Sequence, residues 1–333
     1  MRKYLVKRIL GAIPVLFGIT VITFIAMQLS PGKPTDQMAL SGARTSASAD
    51  TRTRFLKLYE LDKPIHIRYL KWLWRTARLD FGKSFKDDRP AIKKIAERLP
   101  ATILLNTLSL ALIFSVGILL GVISAVKHNK LTDHIITTAV FVGYSLPTFW
   151  LAIMAIIFFG IHLGILPISG LRSLNYEFLP WWEKIPDIAK HLVLPVAITS
   201  FTGVAGLTRY IKNNMLEILK TDYIRFARAK GLPEGKIIIS HALRNALLPV
   251  ITILGLSLPG IIGGGFIFET IFAYPGMGRL GYEAIMSRDY PVIMAVSVIA
   301  AVLTLLGNIL ADTLYAFADP RIKYSPTTTE NNT

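Results

Sequence analysis

Six stretches of this chain are too apolar and too long to be left in water. Residues 9–29, 102–126, 134–160, 192–210, 248–272 and 292–317 are almost free of charge. Each comes near the ~20 residues that a helix needs to cross a hydrocarbon layer of about 30 Å. A backbone in lipid has no water to bond, so only helices and closed barrels can span. The runs are continuous rather than alternating, which predicts helices. The expected fold class is therefore an all-α polytopic membrane protein with six transmembrane helices. A length of 333 residues would allow two soluble domains, but 52% hydrophobic and 17% charged residues argue against that division.

The first run follows Arg2, Lys3, Lys7 and Arg8. A signal peptide has the same basic start, but its apolar core is only about 7–15 residues and a small-residue cleavage site follows it. Neither applies, so 9–29 reads as an uncleaved span, with Pro14 as a tolerable kink. Six spans put both ends on one side of the membrane. Sixteen Lys and Arg lie in the termini and short loops of that side, including Lys127, Lys130, Arg209, Lys212, Lys220 and Arg244; the two short loops opposite hold five. The bias places both termini in the cytoplasm. The net charge of +16 is then explained by loops facing anionic headgroups. The expected organisation is a cytoplasmic N-terminus and first span (1–30), a long external loop (31–100), a core of five spans (101–320) and a cytoplasmic tail (321–333).

The external loop divides in two. Residues 42–53 are rich in Ser, Thr, Ala and Arg and read as a mobile segment. From Pro64 to Arg78 the pattern changes: Arg68, Lys71, Arg75 and Arg78 recur at helical spacing among Tyr69, Leu70, Trp72, Leu73 and Trp74. This predicts a basic amphipathic helix on the membrane surface. The same mix on an external loop meets no nucleic acid, so no nucleic-acid partner is expected.

Helix breakers are frequent inside the spans. Pro147 interrupts the third and Pro195 the fourth; the fifth carries Pro249, Pro259, Gly260, Gly263, Gly264 and Gly265. The 259–265 cluster is denser than packing requires and reads as a bend near a translocation route, with Tyr144, Pro147, Pro259, Gly260, Gly263 and Gly264 as pathway or gating candidates. Gly117-x-x-x-Gly121 and Gly260-x-x-x-Gly264 permit close helix contact, and packing alone accounts for such pairs. Asn106, Thr199, Thr202, Asn308 and Asp312 are further polar residues in the spans. Asp312 reads either as a structural partner to a basic group or as a cargo contact.

Enzymatic signatures fail one by one. Gly82-Lys83-Ser84 lacks the Gly five positions earlier that a phosphate-binding loop requires, and Gly231-x-x-x-Gly235-Lys236 is one residue short and ends in Ile237. There is no HExxH, no GxSxG and no pair of carboxylates placed on one element as acid–base chemistry would need. With no cysteine, thiol chemistry and Cys-ligated metals are excluded, and a lone His162 is no metal site. A non-catalytic subunit, binding no cofactor or metal, is expected.

The polar, basic stretch 223–249 stands apart from all this, between two spans. Thr221 or Asp222 can cap a short helix ending near Lys230; Gly231 supplies a left-handed stop; Pro233 opens a second helix. The pattern Ala227-x-Ala229-x-Gly231, followed by a basic helix and Leu248-Pro249, resembles the "EAA" loop of ABC-transporter permeases. Phe226 or Arg225, depending on alignment, stands where that motif has Glu. Further motifs come in the same family's order: Glu97-Arg98-Leu99-Pro100-Ala101-Thr102, Phe268-Glu269-Thr270-Ile271-Phe272, Tyr274-Pro275-Gly276-Met277-Gly278, Arg288-Asp289-Tyr290-Pro291, Asp312-x-x-Tyr315 and Asp319-Pro320-Arg321-Ile322-Lys323. In the external loop Leu61-Asp62-x-Pro64, Arg68-Tyr69, Trp72-Leu73 and Asp80-Phe81-Gly82-x-Ser84 match it as well. The chain resembles the B-type permease subunits of dipeptide, oligopeptide or nickel ABC importers.

That resemblance implies a type I permease fold in a bacterial or archaeal plasma membrane. It implies half of a translocation pathway, completed by a homologous second permease subunit. Two ABC ATPase subunits would hold ATP and magnesium, and an external substrate-binding protein would deliver cargo. Arg225, Phe226, Ala227, Arg228, Ala229, Lys230, Gly231, Leu232 and Pro233, within a coupling loop at 211–247, would meet an ATPase. An ion-coupled secondary transporter is the alternative; it would want inverted repeats and midplane ionisable groups. A lipid-directed membrane enzyme would want a polar cluster at an interface. Neither set of features is present. The cysteine-free background allows a direct topology test. Single cysteines at Asn129 or Glu234 should be shielded from an impermeant thiol reagent in intact cells, whereas one at Ser46 should react; the reverse labelling would overturn the orientation.

Overall fold

The computed structural model describes residues 2–29 and 63–318. The segment 42–53, Ser46, Leu61-Asp62, the motif at 319–323 and the side chains of Asp312 and Tyr315 lie outside the described residues. The order is α1 (Arg2–Leu29), α2 (Ile65–Ala77), α3 (Ala91–Val126), α4 (Leu131–Ser145), α5 (Thr148–Ala155) and α6 (Trp181–Ile218). There follow α7 (Asp222–Ala229), α8 (Glu234–Ala246), α9 (Leu248–Ser257), α10 (Phe266–Ile271), α11 (Met277–Met286) and α12 (Tyr290–Ala318). No strand occurs among the described residues.

Four helices, α1, α3, α6 and α12, are individually long and apolar enough to cross a membrane. Counting each of two bent pairs as one span raises the number to at most six: α4 with α5 and its π-helical continuation to His162, bent by 102°, and α8 with α9, bent by 48°. The first bend falls at Pro147, which is extended (φ −60°, ψ 124°) and cannot continue α4 because its ring excludes the preceding residue from helical geometry. Pro195 behaves differently from expectation. It lies inside α6, which runs unbroken for 38 residues through both Pro186 and Pro195. Pro195 is buried, so packing offsets the cost of its missing N–H, whereas Pro186 is exposed near the start of the helix. The apolar run 248–272 is likewise not one span. A 3₁₀ turn at Leu258–Ile261 ends α9, the glycines at 263–265 carry the chain round, and α10 is a separate short helix.

The long helices α3 and α6 form the backbone of the bundle, and glycine sets their separation. A Cβ on Gly117 would stand 3.0 Å from Leu207, and one on Gly203 would strike Ile113 at 2.5 Å. At Gly121 a Cβ would meet Ile211 at 2.6 Å and the backbone oxygen of Thr208 at 2.8 Å. The last contact is with main chain, so no rotamer change relieves it. Gly117 and Gly121 therefore serve packing within this chain, against α6, rather than a surface offered to a second bundle. Gly264 is also used internally, against the backbone of Gly278, whereas Gly260 faces open space.

α3 has 36 residues, roughly 54 Å at 1.5 Å per residue, and so projects well beyond a hydrocarbon core of about 30 Å. Its first turns bury Ala91 and Ile95 against Phe81, Met277, Leu280 and Val292. Its last residues bury Ala125 against Ile211, Met215, Ile224 and Ile237. The two ends of the bundle are thereby fixed to one rod. α3 is thus the element on which contact at one end can be felt at the other. Replacing Gly121 by Val should lower thermal stability of the purified chain by about 1–3 kcal/mol, while Gly260→Ala should leave it unchanged. Wild-type unfolding of Gly121→Val would show that the α3–α6 spacing is not set by that glycine.

Candidate functional site

Helices α7 and α8 form a hairpin at one end of the bundle. Sequence determines its shape locally. Gly231 has φ +75°, the left-handed region where a Cβ is disfavoured, and nothing lies within 4 Å of the position a Cβ would take. Backbone geometry alone therefore requires glycine there. The Gly231 N–H donates to Arg228 O at 2.9 Å and the Leu232 N–H to Ala227 O at 3.3 Å. This is the paired closure of a Schellman stop, with Leu232 turned back onto the cluster that contains Ala227. Thr221 holds the N-cap position of α7, but its hydroxyl donates back to Ile218 O at 2.6 Å instead of capping the helix. Pro233 is the N-cap residue of α8; its carbonyl accepts from Lys236 and Ile237.

The hairpin has two distinct faces. Ile224, Ala227, Ile237, Ala242 and Ala246 are buried against Leu207, Ile211 and Met215 of α6 and Ala125 of α3. Arg225, Phe226, Arg228, Ala229, Lys230, Gly231 and Pro233 are exposed, and Leu232 is half-buried. Phe226 is 69% exposed and Tyr223, three residues before it on the same face, 43%. Two cross-links hold α7 on α8. The Arg228 Nε donates to Glu234 at 2.7 Å, and the Asn245 amide donates to the Tyr223 hydroxyl at 2.8 Å. A further clamp lies beneath. Asp133, at the start of α4, accepts from the Lys212 ammonium of α6, the Ser124 hydroxyl of α3 and the Asn129 N–H. Sequence reading missed these links, because Lys212 and Asp133 are 79 positions apart and neither belongs to a motif.

The pathway candidates fall on two separate bends. Tyr144 and Pro147 flank the α4–α5 break; Tyr144 is exposed, and its hydroxyl would lie 3.6 Å from a Cβ placed on Gly206 of α6. Pro259, Gly260, Gly263 and Gly264 form the α9–α10 break, where Pro259 is buried against Gly307 of α12. The carbonyls released there need partners. Asn106 of α3 supplies them: its amide nitrogen lies 3.2 Å from Gly260 O, 3.0 Å from Ile261 O and 3.0 Å from Gly263 O. This gives a structural role to a polar residue within a span.

Two pairs of distant motifs meet. Thr102, from 97–102, and Glu269, from 268–272, are both fully buried. The Thr102 hydroxyl accepts the Met277 N–H at 2.7 Å and donates to Glu269 at 2.9 Å; Glu269 also accepts the Arg279 N–H at 2.9 Å. These are the first-turn donors of α11, which have no partner inside the helix. Gly276 is required because a Cβ there would stand 2.3 Å from the Glu269 carboxylate. At the same end, Asp289 accepts the Ser84 hydroxyl and the Phe85 N–H, the latter at 3.0 Å, so 80–84 docks onto 288–291. Among the described residues no group of three metal-ligating side chains occurs.

The described residues thus form a multi-span helical bundle with a polar two-helix hairpin packed on its long helices. One chain of the MetNI methionine ABC transporter shares the fold, with a TM-score of 0.53 at 18% identity over 68% of this chain and 97% of that one. Residues 117–324 match the binding-protein-dependent transport system inner membrane component, and residues 1–106 match the N-terminal part of the same class of membrane component. The oligopeptide transport system permease protein AppB of Bacillus subtilis is 43% identical over 97% of this chain and the whole of its own length. A putative peptide transport system permease of Brucella abortus is 37% identical, and the dipeptide transport system permease protein DppB of Escherichia coli is 35% identical; each aligns with 97% of this chain. The chain belongs to the family of binding-protein-dependent transport system inner membrane components. It is accordingly a multi-pass permease subunit with the ABC importer type I fold.

The left-handed turn gives this site its own test. Gly231→Val should cost roughly 1 kcal/mol or more in local backbone strain. Amide exchange across 222–237 should then quicken about fivefold or more, while exchange in α3 and α6 stays as it was. Unchanged exchange in the hairpin would show that the turn does not hold α7 on α8.

Proposed function

We propose that this chain is a permease subunit of an ATP-driven importer for peptides. It would form half of the pathway and follow the ATPases through the α7–α8 hairpin. The observation that carries the reading is the hairpin's division of faces. One face is bonded into the α3–α6 core, and the other presents Tyr223, Phe226 and Arg225 to solvent. Exposed aromatics on a braced element are the usual mark of an interaction surface. A partner that moves the hairpin would move the ends of α6 and α9 with it, since α6 leads into the hairpin and α9 continues from it across the 48° bend.

The peptide assignment is supported by the names of the full-length relatives; nickel or another small solute is the alternative within the family. The charge bias of the loops supports cytoplasmic termini and a cytoplasmic hairpin. ATP is held between paired ATPase subunits in the resembling family, so two hairpins are needed to follow their closure. This chain would thus pair with a homologous second permease, dock two ATPases that carry ATP and magnesium, and take cargo from an external binding protein. It would hydrolyse no ATP itself.

Reconstitution in liposomes with subunits left out singly tests the scheme. ATP-dependent peptide uptake should require both permeases and the ATPases. Uptake without the second permease would sink the heterodimer, and uptake without any ATPase would move the protein to the ion-coupled class.

A further inference from the structure

α4 is held to the rest of this chain at two points. Of its 15 residues only Asp133 and Gly143 are buried, and they stand roughly 15 Å apart along the helix. Near its end the attachment is steric: a Cβ on Gly143 would lie 2.8 Å from the Phe201 ring of α6. At its start the attachment is polar. One oxygen of the Asp133 carboxylate accepts from the Lys212 ammonium of α6 at 2.5 Å, from the Thr137 hydroxyl of α4 at 3.2 Å and from the buried Ser124 hydroxyl of α3. The other oxygen accepts the Asn129 N–H at 3.1 Å and stands 3.2 Å from the His128 Nδ1. Lys212 is engaged twice, since its ammonium also donates to the Thr137 hydroxyl at 2.9 Å. Side chains of α3, α4 and α6 and the backbone of the α3–α4 turn therefore meet on one carboxylate.

The position of this pair decides what it can do. Lys212 follows Ile211 and precedes Met215, both wholly buried in the cluster that holds Ile224 and Ile237 of the hairpin. The ammonium thus leaves α6 where the hairpin is packed on it. A buried ion pair of this kind does not stretch gradually. Withdrawing the carboxylate from its ammonium loses charge and hydrogen bonds together, so the pair is either made or broken. While it is made, α4 is fixed to α6 at both ends and follows it. Beyond Ser145 the chain breaks, and α5 leaves at 102°. A rigid arm that ends in a break delivers its movement to that break.

We infer that Asp133 and Lys212 are positioning residues for transport. They make α4 an arm of the hairpin, so that hairpin movement reaches the α4–α5 bend, where Tyr144 and Pro147 lie. The inference rests on the reading of the hairpin as the part that follows the ATPases. Without the pair, α4 is held by Gly143 alone; hairpin movement then parts the start of α4 from α6 and leaves the bend where it was.

The test uses the full-length chain in its complex, with spin labels on introduced cysteines, which meet no native thiol in this chain. Labels at Leu131→Cys of α4 and Ser240→Cys of the hairpin should keep one distance with and without trapped nucleotide. Labels at Leu131→Cys and Ile153→Cys, on either side of the bend, should change theirs. In Asp133→Asn or Lys212→Met the first distance should vary with nucleotide and the second should not. In proteoliposomes, peptide taken up per ATP hydrolysed should fall about tenfold in each single variant and no further in the double one, as for two residues acting as a unit. Lys212→Arg should keep the wild-type ratio. Lys212→Met leaves Asp133 its Ser124 and Asn129 donors, so it carries the test if Asp133→Asn does not assemble. A loss of stability alone would lower uptake and hydrolysis together; an unchanged ratio in Lys212→Met would therefore overturn the proposal. A wild-type distance between the labels at 131 and 240 that changes with nucleotide, in a complex that takes up peptide, would overturn it and leave the importer reading standing. Absence of ATP-dependent uptake in the wild type would strike that reading and the proposal with it.

Discussion

Backbone polar groups in lipid must find partners in the protein, and at the α9–α11 segment that requirement falls on α3. Asn106 collects the carbonyls released at the 260–263 turn. Four residues earlier, Thr102 accepts the first N–H of α11, and with Glu269 it closes that helix's start. Thr102 and Asn106 share one face of α3 at i, i+4 spacing. A single turn of one helix thus supports a broken stretch of some twenty residues, an otherwise prohibitive arrangement at about 1–3 kcal/mol for each unsatisfied group. An irregular segment becomes possible inside the bundle only because that turn faces it.

The same helix carries the mechanical argument. Glycines at 117 and 121 let α3 approach α6 to the distance at which main chain and side chain touch. In lipid, where apolar surface gives no association force between helices, such contact is the chief source of attraction. At its far end α3 contributes Ala125 to the cluster that holds α7 and α8, and the Asp133–Lys212 pair ties the α3–α4 turn to α6 nearby. The hairpin is consequently a rigid extension of the long helices. Its exposed aromatics and its buried aliphatic residues belong to one element, which is what a transmitting part requires.

Much of this was legible in the sequence. The length and apolarity of the six runs fixed the helical class, since lipid leaves few alternatives. The basic amphipathic helix at 65–77, the left-handed stop at Gly231 and the break at Pro147 were each readable, because each rests on spacing or on backbone freedom within a few residues. The family motifs marked Thr102, Glu269, Ser84 and Asp289 without saying that they pair.

Tertiary structure decided the rest. Pro195 and Pro147 have the same covalent chemistry, yet α6 runs through the first and the chain turns at the second; burial against neighbouring helices, not local preference, makes the difference. The apolar run 248–272 looks like one span by composition, but the glycines at 263–265 and the capping groups on α3 divide it. Whether Gly117-x-x-x-Gly121 faces a partner or the chain's own α6 is invisible to spacing, because the same small residues serve either contact. The pairings Asp133–Lys212, Thr102–Glu269 and Ser84–Asp289 span 79, 167 and 205 positions. Sequence by itself determined which segments had to be helices in lipid, as that depends on each segment's own solvation. Only the packed bundle determined which of them bend and what they bind, as those depend on groups that folding alone brings within bonding distance.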